Sequence, residues 1–231
     1  MTADATSPDR PHVTERRLRT PHAAAAAGIV FAVITLVAMT MIHTALPADP
    51  PTDAGWLTED ENQVAAAVTL VPFAAIAFLW FIGVLRDLLG QREDQFFATI
   101  FLGSGLLFLG GLFVWTATIA AALASSNAQP DVFAKSPAYT FAGSLIEVMD
   151  TVVTLRMAGV FMFSTATMWL RTGAMPRWLV LLTFAGAIVL LIGGPGLRGV
   201  RLSFPAWVLI VSIMILVRHR RNEGSARFER A

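Results

Sequence analysis

Six long runs of apolar residues alternate with short polar stretches along the chain. We place these runs at residues 23–46, 64–85, 96–124, 140–170, 178–194 and 202–217. A helix of roughly 20 apolar residues crosses the ~30 Å hydrocarbon core of a bilayer, and the last two runs lie near the lower limit. The pattern therefore predicts an all-α polytopic bundle of six transmembrane helices, forming one domain at 23–217.

The two polar ends of the chain are predicted to lie outside this bundle. Residues 1–22 contain three prolines and four arginines and few apolar side chains, so we expect a disordered tail. A signal peptide is the competing interpretation, but the first apolar run is longer than the roughly 7–15 residues of a signal-peptide core. Residues 218–231 are predicted to form a basic tail beside the membrane.

The arginines predict how the chain crosses the membrane. With the N-terminus inside, thirteen arginines fall on inner segments, whereas the outer loops hold Lys135, Arg198 and Arg201. Positive residues accumulate in cytoplasmic loops, and this bias sets the orientation. We therefore expect the N-terminus and the C-terminus in the cytoplasm of a bacterial plasma membrane.

Composition supports a membrane location and narrows the chemistry. The chain is 55% hydrophobic and 14% charged, whereas soluble domains carry about 25% charged residues. A net charge of +1 indicates no nucleic-acid partner, so the partner that the composition indicates is the lipid bilayer. The absence of cysteine excludes disulfides and thiolate-held metal sites.

The fourth run carries the charges that point most clearly to a site. Glu147, Asp150 and Arg156 lie within it, and charges at bilayer depth are usually paired and often functional. Spacings of three and four residues put Glu147, Asp150, Thr151 and Thr154 on one helical face. Arg156 falls on nearly the opposite side from Glu147.

The partners of these charges are predicted from the outer turn at 193–201. We expect at least one of Glu147 and Asp150 to contact Arg198 or Arg201, because an unpaired carboxylate there would lose hydration without compensation. Helical side chains lean toward the N-terminus, so Arg156 is expected to reach outward into the same cluster. The five residues form either an ion-pair cluster that holds helices in register or an outward-facing pocket for a ligand or a proton.

Catalytic and cofactor motifs are missing from the sequence. His43 is the only histidine within a predicted span, and we interpret it as a hydrogen-bonded interfacial residue, since haem held by two histidines would need a second one in the membrane. Ser104 lies between two glycines, as in a rhomboid-like protease, but the sixth span supplies no histidine. Walker A, Rossmann and zinc motifs are absent. We predict no cofactor, no metal and no enzymatic activity.

Small residues recur at helical spacing on two spans. On the third span they stand every seven residues, at Gly103, Gly110, Ala117 and Ala124. On the first span they stand every four residues, at Ala24, Gly28 and Ala32. Small residues let helix backbones approach closely in a membrane, so we expect helix contacts within the bundle. A homo-oligomer interface is the alternative for the third span.

The segment at 78–109 reads FLWFIGVLRDLLGQREDQFFATIFLGSGLLFL. It resembles a stretch shared by an uncharacterised group of actinobacterial multi-pass membrane proteins, and with its upstream flank the resemblance covers about half of the chain. The resemblance implies a plasma-membrane protein and no particular activity.

Three functional hypotheses remain at this point. The first is an accessory or structural membrane protein, which the lack of a catalytic constellation favours. The second is a small-solute transporter or permease component, since six spans allow an inverted three-plus-three arrangement. The third is a sensor or a module that binds a membrane partner protein through the acidic first outer loop.

Overall fold

The computed structural model describes residues 20–45, 60–89, 95–193 and 198–228, and all regular elements within these ranges are helical. In chain order they are α1 (Thr20–Ala45), α2 (Glu61–Leu89), α3 (Gln95–Ala128), α4 (Pro130–Ala134), α5 (Pro137–Val148), a π turn (Met149–Thr154), α6 (Leu155–Thr172), α7 (Arg177–Ile192), a 3₁₀ turn (Arg198–Leu202) and α8 (Ser203–Phe228). The predicted all-α class is confirmed for this part of the chain.

Four helices are long and apolar enough to cross a membrane. Their apolar stretches are Ala25–Ala45, Glu61–Arg86, Phe96–Ala128 and Gly199–Arg218. They indicate a membrane protein. The two other predicted spans differ: α7 has only 16 residues, and the fourth run is a helix from α5 to α6 that the π turn interrupts. The number of six spans and the orientation of the termini remain predictions.

Both predicted polar tails overlap with helices of the structure. The helix α1 begins at Thr20, and residues 1–19 lie outside the described residues. The helix α8 continues to Phe228, past the predicted end of the last span at 217. A regular helix therefore includes the basic segment as far as Phe228.

Aromatic side chains from five helices meet at the centre of the bundle. They are Phe31 of α1, Phe78 of α2, Phe108 of α3, Phe161 of α6 and Phe204 of α8. The ring centroids of Phe31 and Phe78 are 4.6 Å apart, and those of Phe108 and Phe204 are 4.7 Å apart. Within a membrane, such close van der Waals packing contributes strongly to helix association. Because Phe204 follows Arg201 by one helical turn, this aromatic core adjoins the 3₁₀ turn.

The small residues of α1 lie where α1 packs against its neighbours. A Cβ built on Gly28 would stand 2.0 Å from Ser212 Oγ of α8 and 2.7 Å from a ring carbon of Phe81 of α2. Ala32, one turn further, is fully buried. The predicted contact is confirmed at these two positions, whereas the side chain of Ala24 lies outside the described ones.

The predicted packing stripe of α3 is wrong as a contact within the chain. A Cβ on Gly103 or Gly110 would meet no atom within 4 Å, and Ala117 and Ala124 are exposed. The close contacts of α3 are made by two other glycines, of which Gly105 faces Ile82 and Phe161 and Gly111 faces Thr154. A repeat of small residues marks one face of a helix, but it does not say whether that face turns toward the bundle.

Candidate functional site

Three polar side chains from distant parts of the chain meet at one end of the bundle. Nε of Arg201, on the 3₁₀ turn, lies 3.0 Å from Oδ2 of Asp150, on the π turn. Nη1 of Arg201 lies 2.9 Å from Nε2 of His43, near the end of α1. The same Asp150 oxygen lies 3.7 Å from Nε2 of His43. We call these three residues the His43 cluster.

The hydrogen bonds of His43 define where its proton lies. Nδ1 lies 2.7 Å from the carbonyl oxygen of Met39, and because a carbonyl only accepts, Nδ1 carries the hydrogen. On the other side of the ring the guanidinium of Arg201 only donates, so Nε2 must offer its lone pair. This set of partners is satisfied by the imidazole tautomer that carries its hydrogen on Nδ1.

The cluster is buried most deeply at its carboxylate. The side chain of Asp150 is 5% exposed, against 19% for Arg201 and 25% for His43. Breaking a buried ion pair by removing one partner leaves an uncompensated charge, which is far more harmful than losing an exposed pair. The arrangement thus joins α1, the π turn and the 3₁₀ turn through groups that depend on one another.

The π turn explains why Asp150 and Glu147 do not share a face. One extra residue in the turn offsets the helical face before it from the face after it. Asp150, Thr151 and Thr154 are buried, whereas Glu147 is exposed. The expectation that Glu147 shares one helical face with Asp150, Thr151 and Thr154 is therefore wrong.

Arg156 satisfies backbone groups of the π turn. Its Nη1 donates to the carbonyl oxygens of Thr151, at 3.2 Å, and Val152, at 3.1 Å. Where a helix returns from i→i+5 to i→i+4 bonding, one carbonyl loses its backbone donor, and a guanidinium is a suitable replacement. Arg156 does lean toward the N-terminus, as expected, but it bonds to its own helix rather than to the carboxylate of Asp150, so its predicted place in the cluster is wrong.

The predicted contact between the fourth run and the outer turn is confirmed by Asp150 and Arg201. Arg198 lies on the 3₁₀ turn, but its side chain is outside the described ones. His43 is hydrogen-bonded, as interpreted from the sequence, but its contact with Asp150 and Arg201 was missed. Its position near the same predicted outer boundary as Asp150 and Arg201 was the available signal.

Aromatic and hydroxyl groups of α3 and the π turn border the cluster. The ring of Trp115 stacks on that of His43 with centroids 6.4 Å apart and planes inclined by 28°. Trp115 Nε1 and Thr154 Oγ1 are buried and have no hydrogen-bond partner among the described residues. Gly111 faces Thr154, so in this antiparallel pair Trp115, one turn further along α3, lies at the level of Asp150.

The cluster combines an ion pair with one imidazole. Within the described ranges no three histidine or carboxylate side chains are placed to hold a metal ion. The guanidinium of Arg201 contacts both the imidazole of His43 and the carboxylate of Asp150, so the three groups form one chain. No known protein family, curated protein or solved structure matches the chain.

Proposed function

We propose that this chain is an accessory or structural protein of a bacterial plasma membrane, with six spans and both termini in the cytoplasm. The His43 cluster is, in this proposal, an interhelical clamp. The support for the threading is the ratio of thirteen inner arginines to three outer basic residues. The resemblance of 78–109 supports a place beside the actinobacterial multi-pass group.

The observation that carries the structural role is the ion pair between Asp150 and Arg201. It joins the π turn of the fourth run to the start of α8, and His43 extends it to α1. Arg156 is also engaged by the chain itself, through carbonyls of its own helix. A carboxylate that is 5% exposed and already paired is a poor ligand for a passing solute, but it fixes helices in one register.

A charge-reversal cycle tests the clamp. Asp150→Arg and Arg201→Asp should each lower the unfolding temperature in detergent, and the double variant should recover part of the loss. The matched control pairs Arg201→Asp with Glu147→Arg, which should recover nothing because Glu147 is exposed. Strictly additive effects of Asp150→Arg and Arg201→Asp would rule out the clamp.

A small-solute transporter or permease component is the second candidate. Its support is the π turn at Asp150, since such turns are frequent at functional sites, together with the unpartnered indole of Trp115. Uptake into vesicles containing the purified protein distinguishes this candidate: uptake that Asp150→Asn abolishes, while the variant stays folded, would favour transport. The sensor hypothesis depends on an acidic loop that lies mostly outside the described residues.

A further inference from the structure

The unprotonated nitrogen of His43 faces both a cation and an anion. Nε2 accepts from Nη1 of Arg201 at 2.9 Å, and Oδ2 of Asp150 lies 3.7 Å away. Imidazole is the side chain that ordinarily changes its charge between about pH 5 and pH 8. The cluster therefore contains a group that can change its bonding partner when it binds one proton.

We propose that Nε2 of His43 is a proton-binding site, and that the bound proton replaces the contact between His43 and Arg201 with a hydrogen bond from His43 to Asp150. The inference rests on the proposed clamp and adds its regulation. A proton from the surrounding water adds to the lone pair of Nε2, and no other covalent bond changes. The net charge of the His43 cluster rises from zero to +1.

The exchange follows from donor and acceptor chemistry. Once Nε2 carries a hydrogen, it and Nη1 of Arg201 are two donors facing each other at 2.9 Å, and that contact cannot persist. The acceptor within reach is Oδ2 of Asp150, at 3.7 Å. A small rotation of either side chain shortens that separation to the ~2.8 Å of a charge-assisted hydrogen bond.

The other neighbours of His43, apart from Asp150 and Arg201, are uncharged or hydrogen-bonded elsewhere. From α3 it meets the ring of Trp115, which carries no charge. From α2 the nearby polar group is the neutral Gln63, which donates to the carbonyl of Met41. The carboxylate of Glu61 accepts a hydrogen bond from Asn127, 2.6 Å away. In the described part of the chain, the charged groups in contact with His43 are thus Asp150 and Arg201.

Protonation of His43 changes which structural elements are linked to one another. Before protonation, Arg201 links the 3₁₀ turn both to α1 and to the π turn. After it, α1 and the π turn are joined directly by His43 and Asp150. The 3₁₀ turn, which leads into α8, loses its link to α1 and keeps the ion pair between Arg201 and Asp150, so we expect it to move away from α1 as the pH falls.

Paired spin labels measure that movement directly. The natural chain has no cysteine, so Thr40→Cys on α1 and Gly199→Cys on the 3₁₀ turn accept labels specifically. Thr40 is exposed, and a Cβ on Gly199 meets no atom within 4 Å. We expect the dipolar broadening between the labels to decrease from pH 8 to pH 5, and His43→Gln to abolish the change. Equal broadening at both pH values, or the same decrease in His43→Gln, would overturn the proposal.

Nitrogen NMR of the native imidazole gives a second, independent measurement. Replacing His12, His22 and His219 with Gln leaves His43 as the only histidine. We expect its spectrum at pH 8 to show the hydrogen on Nδ1, and titration to add the second hydrogen at Nε2. A hydrogen on Nε2 at pH 8, or an imidazole that stays neutral to pH 5, would overturn the proposal even where His43→Gln does not fold. If either result is found while the charge-reversal cycle is non-additive, the proton site is disproved and the clamp stands. If the cycle is additive, the clamp itself is disproved.

Discussion

Gly111 of α3 lies directly against Thr154 of the π turn. A Cβ built on Gly111 would stand 2.8 Å from Oγ1 of Thr154 and 3.3 Å from a methyl carbon of Val153. The neighbouring residue, Gly110, faces open space. The absence of a side chain at Gly111 therefore allows α3 to approach the turn that presents Asp150.

These adjacent glycines provide a matched pair of variants. Alanine in a helix interior is favoured over glycine by about 0.5–1 kcal/mol, and both variants share that gain. Only Gly111→Ala must also displace Thr154, and overpacking of this kind typically costs about 1–3 kcal/mol. We expect Gly111→Ala to unfold in detergent several degrees below Gly110→Ala. Indistinguishable unfolding temperatures would mean that α3 does not approach the π turn this closely.

The buried carboxylate gives a second prediction. Asp150→Asn removes the charge that faces Arg201 and leaves a largely buried guanidinium without its counterion. Losses of about 3–5 kcal/mol are typical when one member of a buried pair is removed. Glu147→Gln is the control, because Glu147 is exposed three residues away on the same helix. Thermal unfolding in detergent should show a large loss for Asp150→Asn and almost none for Glu147→Gln, and equal losses would contradict the burial of the pair.

Arg156 provides a third prediction, which concerns the π turn alone. Arg156→Leu removes the donor to the carbonyls of Thr151 and Val152. An unsatisfied buried polar group costs about 1–3 kcal/mol, whereas Arg156→Lys keeps an N–H donor on a flexible stem. We expect Arg156→Lys to retain more stability than Arg156→Leu and to leave the Asp150–Arg201 charge-reversal cycle unchanged. If Arg156→Leu proved more stable than Arg156→Lys, the cost of keeping a positive charge at this position would exceed the gain from the hydrogen-bond donor.

How much of this structure the sequence predicts depends on the kind of signal. Long apolar runs specify the main helices, and the scarcity of charge makes the pairing of Asp150 with Arg201 predictable. The π turn leaves no comparable mark, because MDTVVT contains neither proline nor glycine. Without that extra residue, helical spacing alone puts Glu147 on the same face as Asp150.

Glycine patterns show a similar limit. The regular repeat through Gly103 and Gly110 marks a face with no neighbour in the chain, whereas the unrepeated Gly105 and Gly111 make the contacts. Periodicity reports the geometry of one helix. The partner that lies against it depends on tertiary packing, and a single sequence does not encode that in any local pattern.

The last prediction concerns the orientation of the chain in the membrane. This orientation determines which side of the membrane sets the pH at the His43 cluster. Thirteen arginines against three basic residues predict that the loops after α1, after α3 and after α7 face outward. His43, Asp150 and Arg201 would then lie near the outer surface, where His43 samples the external pH. Reporter fusions after Leu46, Arg86, Ser125, Arg171 and Arg198 should read outside, inside, outside, inside and outside. An inside signal after Ser125 would reverse the threading, and the proton site on His43 would then respond to the pH of the cytoplasm.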